Sequence, residues 1–285
     1  MSRVFTTALA IAVLTLSIGC VSKLRSGGGR SSSDRAHQCP PVEWPLLPVQ
    51  ADQGLVRLYV EVELEGRPAL LLLDTGADSS LSDSLQGLRQ GNGRLKVAGC
   101  ALGLPYHAND VLDRPYHGRD IMGLLGFNMF EHEAALIDVD AKKMIFFGAG
   151  APELAGPDWV RIPLEVARHR AVIEAKIGGA EVRLMLDTGS PTAVLIDPNV
   201  DLRSGQAYTG ADVFSNALRG VLSTQTLELG ARAPRQIAVF RARSWPALTQ
   251  LPPGMNVAGV LGLSSLQSKK FVLDFPNSQL WLERE

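Results

Sequence analysis

The sequence carries little net charge and few aromatic residues. Its 28 Lys and Arg residues nearly balance 29 Asp and Glu residues, and it contains no long basic run. These features give no support for a nucleic-acid partner. Aromatic residues make up only 6% of the 285-residue chain, whereas Gly and Pro number 28 and 17. This composition favours many short strands joined by turns over long helices, and it predicts an all-β fold.

The motifs of several enzyme classes are missing. The pair His132-Glu133 is not followed by the second histidine that a zinc-binding H-E-x-x-H motif requires. The sequence also contains no G-x-S-x-G element, no Walker loop and no strand-linked G-x-G-x-x-G. A zinc peptidase, a serine hydrolase of the α/β type and a nucleotide-binding enzyme therefore lack support. We expect neither a metal ion nor a cofactor.

Residues 1–20 predict export. Arg3 is followed by an apolar run over residues 5–18, which is too short for a membrane-spanning helix but typical of a signal peptide. The segment ends in SIGC at residues 17–20, which resembles a bacterial lipoprotein signal, although its first position is Ser where Leu is usual. The resemblance implies that Cys20 bears a lipid anchor. The anchor would hold the protein on a membrane of the bacterial cell envelope, facing the periplasm or the exterior. An ordinary cleaved signal peptide with an accidental Cys is the alternative.

A low-complexity stretch and two further cysteines follow the signal. Residues 21–50 are predicted to form a flexible tether, because residues 26–33 read SGGGRSSS. If Cys20 is lipidated, Cys39 and Cys100 remain, and an exported compartment permits a disulfide between them. Two unpaired thiols are the alternative.

Two stretches of the chain repeat one pattern. Residues 61–80 read EVELEGRPALLLLDTGADSS, and residues 174–193 read EAKIGGAEVRLMLDTGSPTA. In each stretch an Asp-Thr-Gly triplet begins eight residues after a turn glycine. Period-two alternation of apolar residues before the turn indicates half-buried strands, and Gly66 and Gly179 indicate tight hairpins. Each Asp is therefore predicted to end a buried strand, where the chain must turn.

The repeat extends beyond the triplets. Residues 121–127 (IMGLLGF) match residues 257–263 (VAGVLGL), and each match is followed by a second Asp twelve residues after its last glycine. Closing strands are predicted at residues 144–147 and 280–282. A short helix is predicted over residues 263–270.

The repeat divides the body of the chain into two similar lobes. Lobe 1 covers residues 51–150 and lobe 2 covers residues 157–285, and residues 148–157 (GAGAPELAGP) form the linker. Lobe 2 carries about twenty extra residues, mostly within residues 200–256. Because one chain supplies both lobes at high local concentration, we expect a monomer in which they pair intramolecularly rather than between chains.

The repeated loops resemble those of a known superfamily. LLLDTGADSS and LMLDTGSPTA are similar to the active-site loops of the pepsin and retropepsin superfamily, and LLGFN and VLGLS resemble its hydrophobic-hydrophobic-Gly element. The resemblance covers most of residues 55–147 and 168–283. It implies an all-β fold of two retropepsin-like β-barrel lobes packed about a pseudo-twofold axis. It also implies an aspartic endopeptidase that hydrolyses peptide or protein substrates.

The resemblance assigns the chemistry to one aspartate of each lobe. Asp74 and Asp187 would face each other across a cleft and share one proton. The ionised aspartate would activate a water molecule, and the protonated one would polarise the scissile carbonyl. Glycine amides would donate to the carboxylates, and the threonines would hydrogen-bond across the lobes. The supporting residues of the two loops are Thr75, Gly76, Ala77, Thr188, Gly189 and Ser190.

The two loops differ after the triplet. In the pepsin-like pattern a Ser at this position hydrogen-bonds the neighbouring carboxylate and favours its charge. Ser190 offers that hydroxyl in lobe 2, whereas Ala77 has none in lobe 1. We therefore expect Asp187 to ionise more readily and Asp74 to hold the proton longer.

A substrate-covering flap is predicted in lobe 2. Residues 205–210 (GQAYTG) lie about twenty residues after Asp187 and suit a hairpin tip that carries an aromatic side chain. Tyr208, Thr209 and Gly210 would form this tip. A plain surface turn is the alternative.

The main alternative to an enzyme is a non-catalytic envelope lipoprotein. It would use the same scaffold to bind peptides or a protein partner. The short middle of lobe 1 favours this alternative, whereas the intact Asp-Thr-Gly in both lobes weighs against it.

Overall fold

The computed structural model describes residues 9–10, 43–50, 56–64, 66–82, 91–97, 100–109, 121–147, 158–196, 205–211, 217–243 and 255–284. Strands dominate this part of the chain, and the all-β prediction is confirmed. The helices within these ranges are short 3₁₀ helices at Phe127–Met129, Leu263–Leu266 and Phe275–Asn277. In the described ranges no helix is both long and apolar enough to cross a membrane.

The strands are labelled in chain order. Those of the first half are β1 (Leu9–Ala10), β2 (Glu43–Gln50), β3 (Val56–Leu64), β4 (Arg67–Asp74), β5 (Ser80–Ser82), β6 (Gly91–Val97), β7 (Cys100–Asn109), β8 (Gly123–Gly126), β9 (Ala135–Asp138) and β10 (Lys143–Phe146). Those of the second half are β11 (Trp159–Pro163), β12 (Glu165–Ala167), β13 (Arg170–Ile177), β14 (Ala180–Asp187), β15 (Ala193–Leu195), β16 (Gln206–Ala211), β17 (Ala217–Glu228), β18 (Arg235–Ala242), β19 (Gly259–Gly262), β20 (Lys270–Asp274) and β21 (Gln279–Glu283).

Two mixed sheets contain these strands. The larger has 12 strands in the order β11-β21-β20-β9-β10-β2-β3-β4-β8-β5-β7-β6, and the smaller has 9 in the order β1-β16-β17-β18-β15-β19-β14-β13-β12. The sheets do not divide at the predicted boundary between the lobes, because β11, β20 and β21 join the strands of the first half. At the junction, β9 and β20 pair antiparallel, with Ile137 opposite Phe271 and Leu136 opposite Val272. The two halves therefore share one continuous sheet.

Equivalent hairpins lead to the two Asp-Thr-Gly triplets. β3 and β4 pair antiparallel around Gly66, and β13 and β14 pair antiparallel around Gly178 and Gly179. The three glycines have φ angles of 80°, 59° and 87°, a region that glycine enters at little cost. β4 ends at Asp74 and β14 ends at Asp187. The predicted hairpins and strand ends are confirmed.

A parallel strand lies beside each of these aspartate strands. β8 pairs with β4 and places Gly126 opposite Asp74, and β19 pairs with β14 and places Gly262 opposite Asp187. The second glycine of this motif has no room for a side chain. A Cβ on Gly262 would lie 2.2 Å from the carbonyl oxygen of Thr192. The repeated glycines thus let the loop after each aspartate pack directly on the neighbouring strand.

Apolar residues fill both faces of the strands near the first triplet. Leu71 and Leu73 of β4 belong to the main buried cluster, whereas Leu72 packs with Tyr59 of β3 in a second buried cluster. The alternation in β3 predicts one exposed face, but Arg57 and Tyr59 on that face are also buried. The prediction is wrong for Tyr59 because the second cluster covers it.

The predicted tether is shorter than residues 21–50. Residues 43–50 form β2, which pairs with both β3 and β10. Trp44 and Leu46 are buried in the main cluster, and this burial explains why the segment is ordered as a strand. Three predicted segments lie outside the described residues, namely residues 21–42 of the tether, the linker at residues 148–157, and the signal at residues 1–20 apart from β1.

The helix predicted over residues 263–270 is too long. A 3₁₀ helix covers Leu263–Leu266, and Gln267 then takes a φ of 43° that ends it. β20 begins at Lys270 because this segment pairs with β9. The predicted closing strands are confirmed as β10 and β21.

The packing around the paired glycines gives a test of this architecture. Gly262→Ala should destabilise the protein by about 2–4 kcal/mol, because its Cβ would meet the backbone oxygens of Thr192 and Ser190, which cannot rotate away. Gly179→Ala is the matched control. Its φ of 87° is unfavourable for Ala, but no atom lies within 4 Å of the added Cβ, so the cost should be only about 1 kcal/mol. Urea unfolding measures both, and equal losses would contradict the packing.

Candidate active site

The two triplets are buried and lie in contact with each other. Asp74 and Asp187, at the ends of β4 and β14, both have 0% of their surface exposed. Thr75 and Thr188, which follow them, are equally buried. Loops that lie 113 residues apart in the sequence are in direct contact through hydrogen bonds.

The threonine side chains join the loops by four reciprocal hydrogen bonds. The backbone N–H of Thr75 donates to Oγ1 of Thr188 over 3.0 Å, and the N–H of Thr188 donates to Oγ1 of Thr75 over 3.1 Å. Each hydroxyl then donates across the junction, Thr75 to the carbonyl of Leu186 over 3.1 Å and Thr188 to that of Leu73 over 3.0 Å. Exchanging the two loops reproduces the pattern. The predicted contact between the threonines is confirmed, and it fixes the position of one loop against the other.

The glycines of the triplets approach the carboxylates closely. The N–H of Gly76 donates to Oδ1 of Asp74 over 3.0 Å, and the N–H of Gly189 donates to Oδ1 of Asp187 over 2.9 Å. The N–H of Ser190 adds a second bond to the same Oδ1 of Asp187, over 3.1 Å. A Cβ on Gly189 would lie 2.6 Å from Oδ2 of Asp74, so a larger residue would displace that carboxyl.

The second oxygen of each carboxyl has no donor in the described part of the chain. Oδ2 of Asp74 and Oδ2 of Asp187 are buried and accept no hydrogen bond there. The two carboxyls are nevertheless within hydrogen-bonding range of each other. Two ionised carboxylates contain no donor, whereas a single proton between them supplies one. One proton shared between the carboxyls would therefore satisfy both buried oxygens.

Burial favours the protonated forms of both aspartates. Burial raises the pKa of Asp74 from 3.8 to about 6, although the hydrogen bond with Asp187 and the positive charge of Arg170 lower it. Burial also raises the pKa of Asp187 well above 3.8, and the charge of Asp74 and the hydrogen bond to it raise it further. The pair titrates as a unit. On losing its first proton, at about pH 6, the pair carries one negative charge and keeps one proton.

The hydrogen bond from the Ser190 hydroxyl to Asp187, from which the sequence predicts that Asp187 ionises more readily, is not formed. The hydroxyl of Ser190 donates to the carbonyl of Thr192 over 2.9 Å and does not reach Asp187, which receives only the backbone N–H of Ser190. The hydroxyl therefore cannot favour the charge of Asp187. Ala77 is buried beside Asp74, and its carbonyl accepts the N–H of Phe127 over 2.7 Å.

The residues predicted to form a flap tip lie within a strand. Tyr208, Thr209 and Gly210 belong to β16, which pairs antiparallel with β17, so the prediction of a hairpin tip is wrong. The connection between these strands, residues 212–216, lies outside the described residues. The ring of Tyr208 packs edge-on against Phe240 with centroids 5.6 Å apart, because a half-buried aromatic next to an apolar cluster turns inward. Whether this hairpin covers a substrate stays a prediction.

The described part of the chain includes none of the three cysteine side chains, so it tests neither the lipidation nor the disulfide. Cys20 and Cys39 lie outside the described residues. The backbone of Cys100 opens β7, but its side chain lies outside the described part. Lipidation at Cys20 and the Cys39–Cys100 bond stay predictions.

One contact at the site has no counterpart among the sequence predictions. Arg170 opens β13 and is 2% exposed, and its Nη1 lies 3.4 Å from Oδ1 of Asp78, four residues after Asp74. A sequence pattern could have indicated that Arg170 is important, because Arg57 and Arg170 each precede a triplet aspartate by seventeen residues.

Comparison with known proteins gives no assignment. No protein-family model matches the chain, and no curated protein sequence matches it. In the described ranges, no group of three His, Cys, Asp or Glu side chains could hold a metal ion. The geometry does provide two adjacent buried carboxyls, an arrangement suited to general acid–base chemistry if they share one proton.

The threonine contacts predict a large stability difference between two similar substitutions. Thr188→Val keeps the shape of the side chain but removes its hydroxyl, which leaves the N–H of Thr75 and the carbonyl of Leu73 buried without this partner. The loss should be about 2–5 kcal/mol. Thr188→Ser keeps the hydroxyl and should lose about 1 kcal/mol. Chemical unfolding compares them, and a Val variant as stable as the Ser variant would rule out this role.

The raised pKa values predict a pH-dependent gain in stability on removing one carboxyl. Because both folded-state pKa values exceed 3.8, the folded wild type holds protons that the unfolded chain releases, and it loses stability as pH rises from about 4 through about 6. Asp187→Asn removes one of these groups, and its amide can donate to Asp74. Its Tm should therefore rise relative to wild type between pH 4 and 7, by a few degrees. A Tm difference that is constant over this range would contradict the burial of the pair.

Proposed function

We propose that this chain is an aspartic endopeptidase, which hydrolyses peptide bonds with a water molecule activated between Asp74 and Asp187. One observation carries the proposal. Two buried carboxyls from equivalent loops each have one oxygen held by backbone N–H groups and one oxygen left for the other carboxyl. A purely structural role would not require two coupled buried acids, because their burial costs stability at neutral pH.

The protons in the first step move in a defined order. The carboxylate of Asp74 accepts a proton from water, and the water oxygen attacks the carbonyl carbon of the peptide bond. Asp187 gives its proton to the carbonyl oxygen, so that a tetrahedral diol forms. We assign the negative charge to Asp74, whose pKa the positive charge of Arg170 lowers, and the proton to Asp187.

The second step restores both aspartates. Asp74, now protonated, donates its proton to the amide nitrogen, and the C–N bond breaks. Asp187 recovers a proton from one hydroxyl of the diol, which becomes the carbonyl of the new carboxylic acid. The products are an acid and an amine, and the pair returns to its starting state without a covalent intermediate.

We also propose that the two halves are retropepsin-like β-barrel lobes related by a pseudo-twofold axis, with boundaries near residues 51–150 and 157–285 apart from the addition of β2. Two further pairings support this proposal. β6 returns to pair with β3 at Leu64, and β17 returns to pair with β13 at Ile177. Leu64 and Ile177 are equivalent positions, because each lies two residues before its turn glycine. Since one chain makes both loops, the pairing of the halves is intramolecular.

Location at a bacterial cell envelope is a further part of the proposal. It is supported only by the apolar segment and Cys20 within residues 1–20. A lipid anchor and a tether of about twenty residues would hold the folded body near the membrane surface.

One observation favours a non-catalytic alternative. Both carboxyls are fully buried, so a peptide reaches them only if part of the surrounding chain moves. A scaffold that binds a peptide or a protein partner elsewhere would need no such opening. Hydrolysis itself distinguishes the two functions.

A peptide-library digest tests the proposal. Wild type should cleave, with a rate that rises as pH passes upward through about 6, where the pair gains its first negative charge. Asp74→Asn and Asp187→Asn should each lose at least about 100-fold in rate. Asp140→Asn makes the same chemical change on the surface and should keep wild-type activity. Equal cleavage by wild type and Asp187→Asn, or no cleavage by either, would overturn the peptidase proposal.

A further inference from the structure

The part of the large sheet that joins the two halves packs one of its faces on the main buried cluster. Its six strands lie in the order β11-β21-β20-β9-β10-β2. Alternate side chains along these strands, among them Leu282, Phe271, Ile137 and Met144, belong to the main cluster. Since successive side chains of a strand point to opposite faces, the residues between them form the other face, which we call the junction face.

One row of the junction face is apolar in its middle and charged at its two ends. The strand registers place its members side by side, and from β11 to β2 they are Arg161, Trp281, Val272, Leu136, Ile145 and Glu43. The two end residues are exposed, and Trp281, Leu136 and Ile145 are half-buried. The row therefore presents an apolar stripe that crosses the seam between the two halves at β9 and β20.

A second row, two residues further along each strand, alternates in charge. From β11 to β2 its members are Trp159, Glu283, Lys270, Asp138, Lys143 and Pro45, where Glu283 follows from continuing the β20–β21 register by one residue. Some of these charges are already paired within the chain. Nζ of Lys270 lies 3.6 Å from Oδ2 of Asp138, and Nζ of Lys143 lies 3.1 Å from Oε1 of Glu43 in the first row.

Both rows are complementary to their own reverse. A half-turn about a line that runs parallel to the strands over the β9–β20 seam keeps each row in place and reverses its order. In the first row, Arg161 would then meet Glu43 of a second copy, Trp281 would meet Ile145, and Val272 would meet Leu136. In the second row, Glu283 would meet Lys143, Lys270 would meet Asp138, and Trp159 would meet Pro45. Every pair that results is either oppositely charged or apolar on both sides.

We propose that the junction face is the interface of a homodimer, in which two copies of the chain stack these sheets about that two-fold axis. Charge complementarity identifies the second copy as the partner, because an unrelated surface has no reason to match both rows in reverse order. Stacked sheets lie about 10 Å apart and cross at about 30°, so the pairs nearest the seam superpose best. The long charged side chains at the ends of the rows tolerate the larger offset there.

The size of the face sets the expected affinity. Six strands span only about 25 Å, so the contact lies at the small end of the range for specific interfaces. We therefore expect a dissociation constant on the order of 1–10 μM rather than an obligate dimer.

This dimer differs from the monomer expected from the sequence, but it leaves the intramolecular pairing of the halves unchanged. The contact would involve no residue of either Asp-Thr-Gly loop. It does not depend on the peptidase proposal, because a chain that cleaves no peptide can still dimerise, and a monomeric chain can still cleave.

A charge-swap experiment tests the interface. Glu283 and Lys143 lie three strands apart in one chain, about 14 Å, which is too far for an ion pair between them. Glu283→Lys and Lys143→Glu should each raise the dissociation constant at least about 10-fold, because the two-fold axis repeats each like-charge contact. The double variant restores opposite charges across the axis and should return to within about 3-fold of wild type. Sedimentation equilibrium of the full chain, in density-matched detergent where it carries a lipid, measures all four proteins.

Lys176→Glu is the matched control. It makes the same charge reversal on β13, outside the junction face, and like Lys143→Glu it breaks an exposed pair with a glutamate, here Glu181 at 3.5 Å. Its dissociation constant should equal that of wild type. A dimer that both single swaps leave unchanged, or that the double variant fails to restore, would overturn the proposal.

Oxidative labelling of Trp281, read by mass spectrometry, identifies what covers the junction face. Labelling should increase on dilution as the dimer dissociates. A chain that stays monomeric up to about 100 μM contradicts the proposal. If Trp281 is nevertheless protected in that monomer, residues 148–157 of the same chain are the occupant instead of a second copy.

Discussion

The burial of two carboxyl groups against each other constrains the rest of this structure. Two adjacent carboxylates in a dry site repel each other and lack solvation, so the fold must supply donors and retain one proton. The glycine amides bond one oxygen of each carboxyl, and one shared proton would serve the other two. Sharing one proton requires that the loops of Asp74 and Asp187 keep a fixed separation. The hydrogen bonds between Thr75 and Thr188 meet that requirement.

The two sheets hold the aspartate loops in these positions. Each aspartate ends a strand that is flanked by a parallel strand, and the small residues Gly126 and Gly262 allow the following loop to lie on that strand. The antiparallel pair β9–β20 then joins the two halves in one sheet. A displacement of either half would therefore disturb backbone hydrogen bonds as well as the threonine contacts. These backbone and threonine hydrogen bonds therefore hold the two carboxyls in position relative to each other.

Much of this geometry could be predicted from local sequence patterns. Alternation, turn glycines and the doubled triplet predict where Asp74 and Asp187 lie, because hairpin register and strand ends depend on nearby residues. The remaining features depend on which partner each side chain meets in the fold, which these patterns do not specify. The hydroxyl of Ser190 bonds a nearby carbonyl instead of a carboxylate, and Tyr208 lies in a strand because a long neighbouring strand pairs with it. The contact of Arg170 joins the two halves, so no single window of sequence contains it.

Asp74 and Asp187 should share one proton at a pH where one of them is charged. A neutron structure of deuterated crystals, grown at a pH just above the first ionisation of the pair, would locate that proton directly. We expect a single deuteron in the contact between the two Oδ2 atoms, with the remaining oxygens bonded to the amides of Gly76 and Gly189. Two fully ionised carboxylates, or two oxygens beyond hydrogen-bonding distance with no deuteron between them, would contradict it.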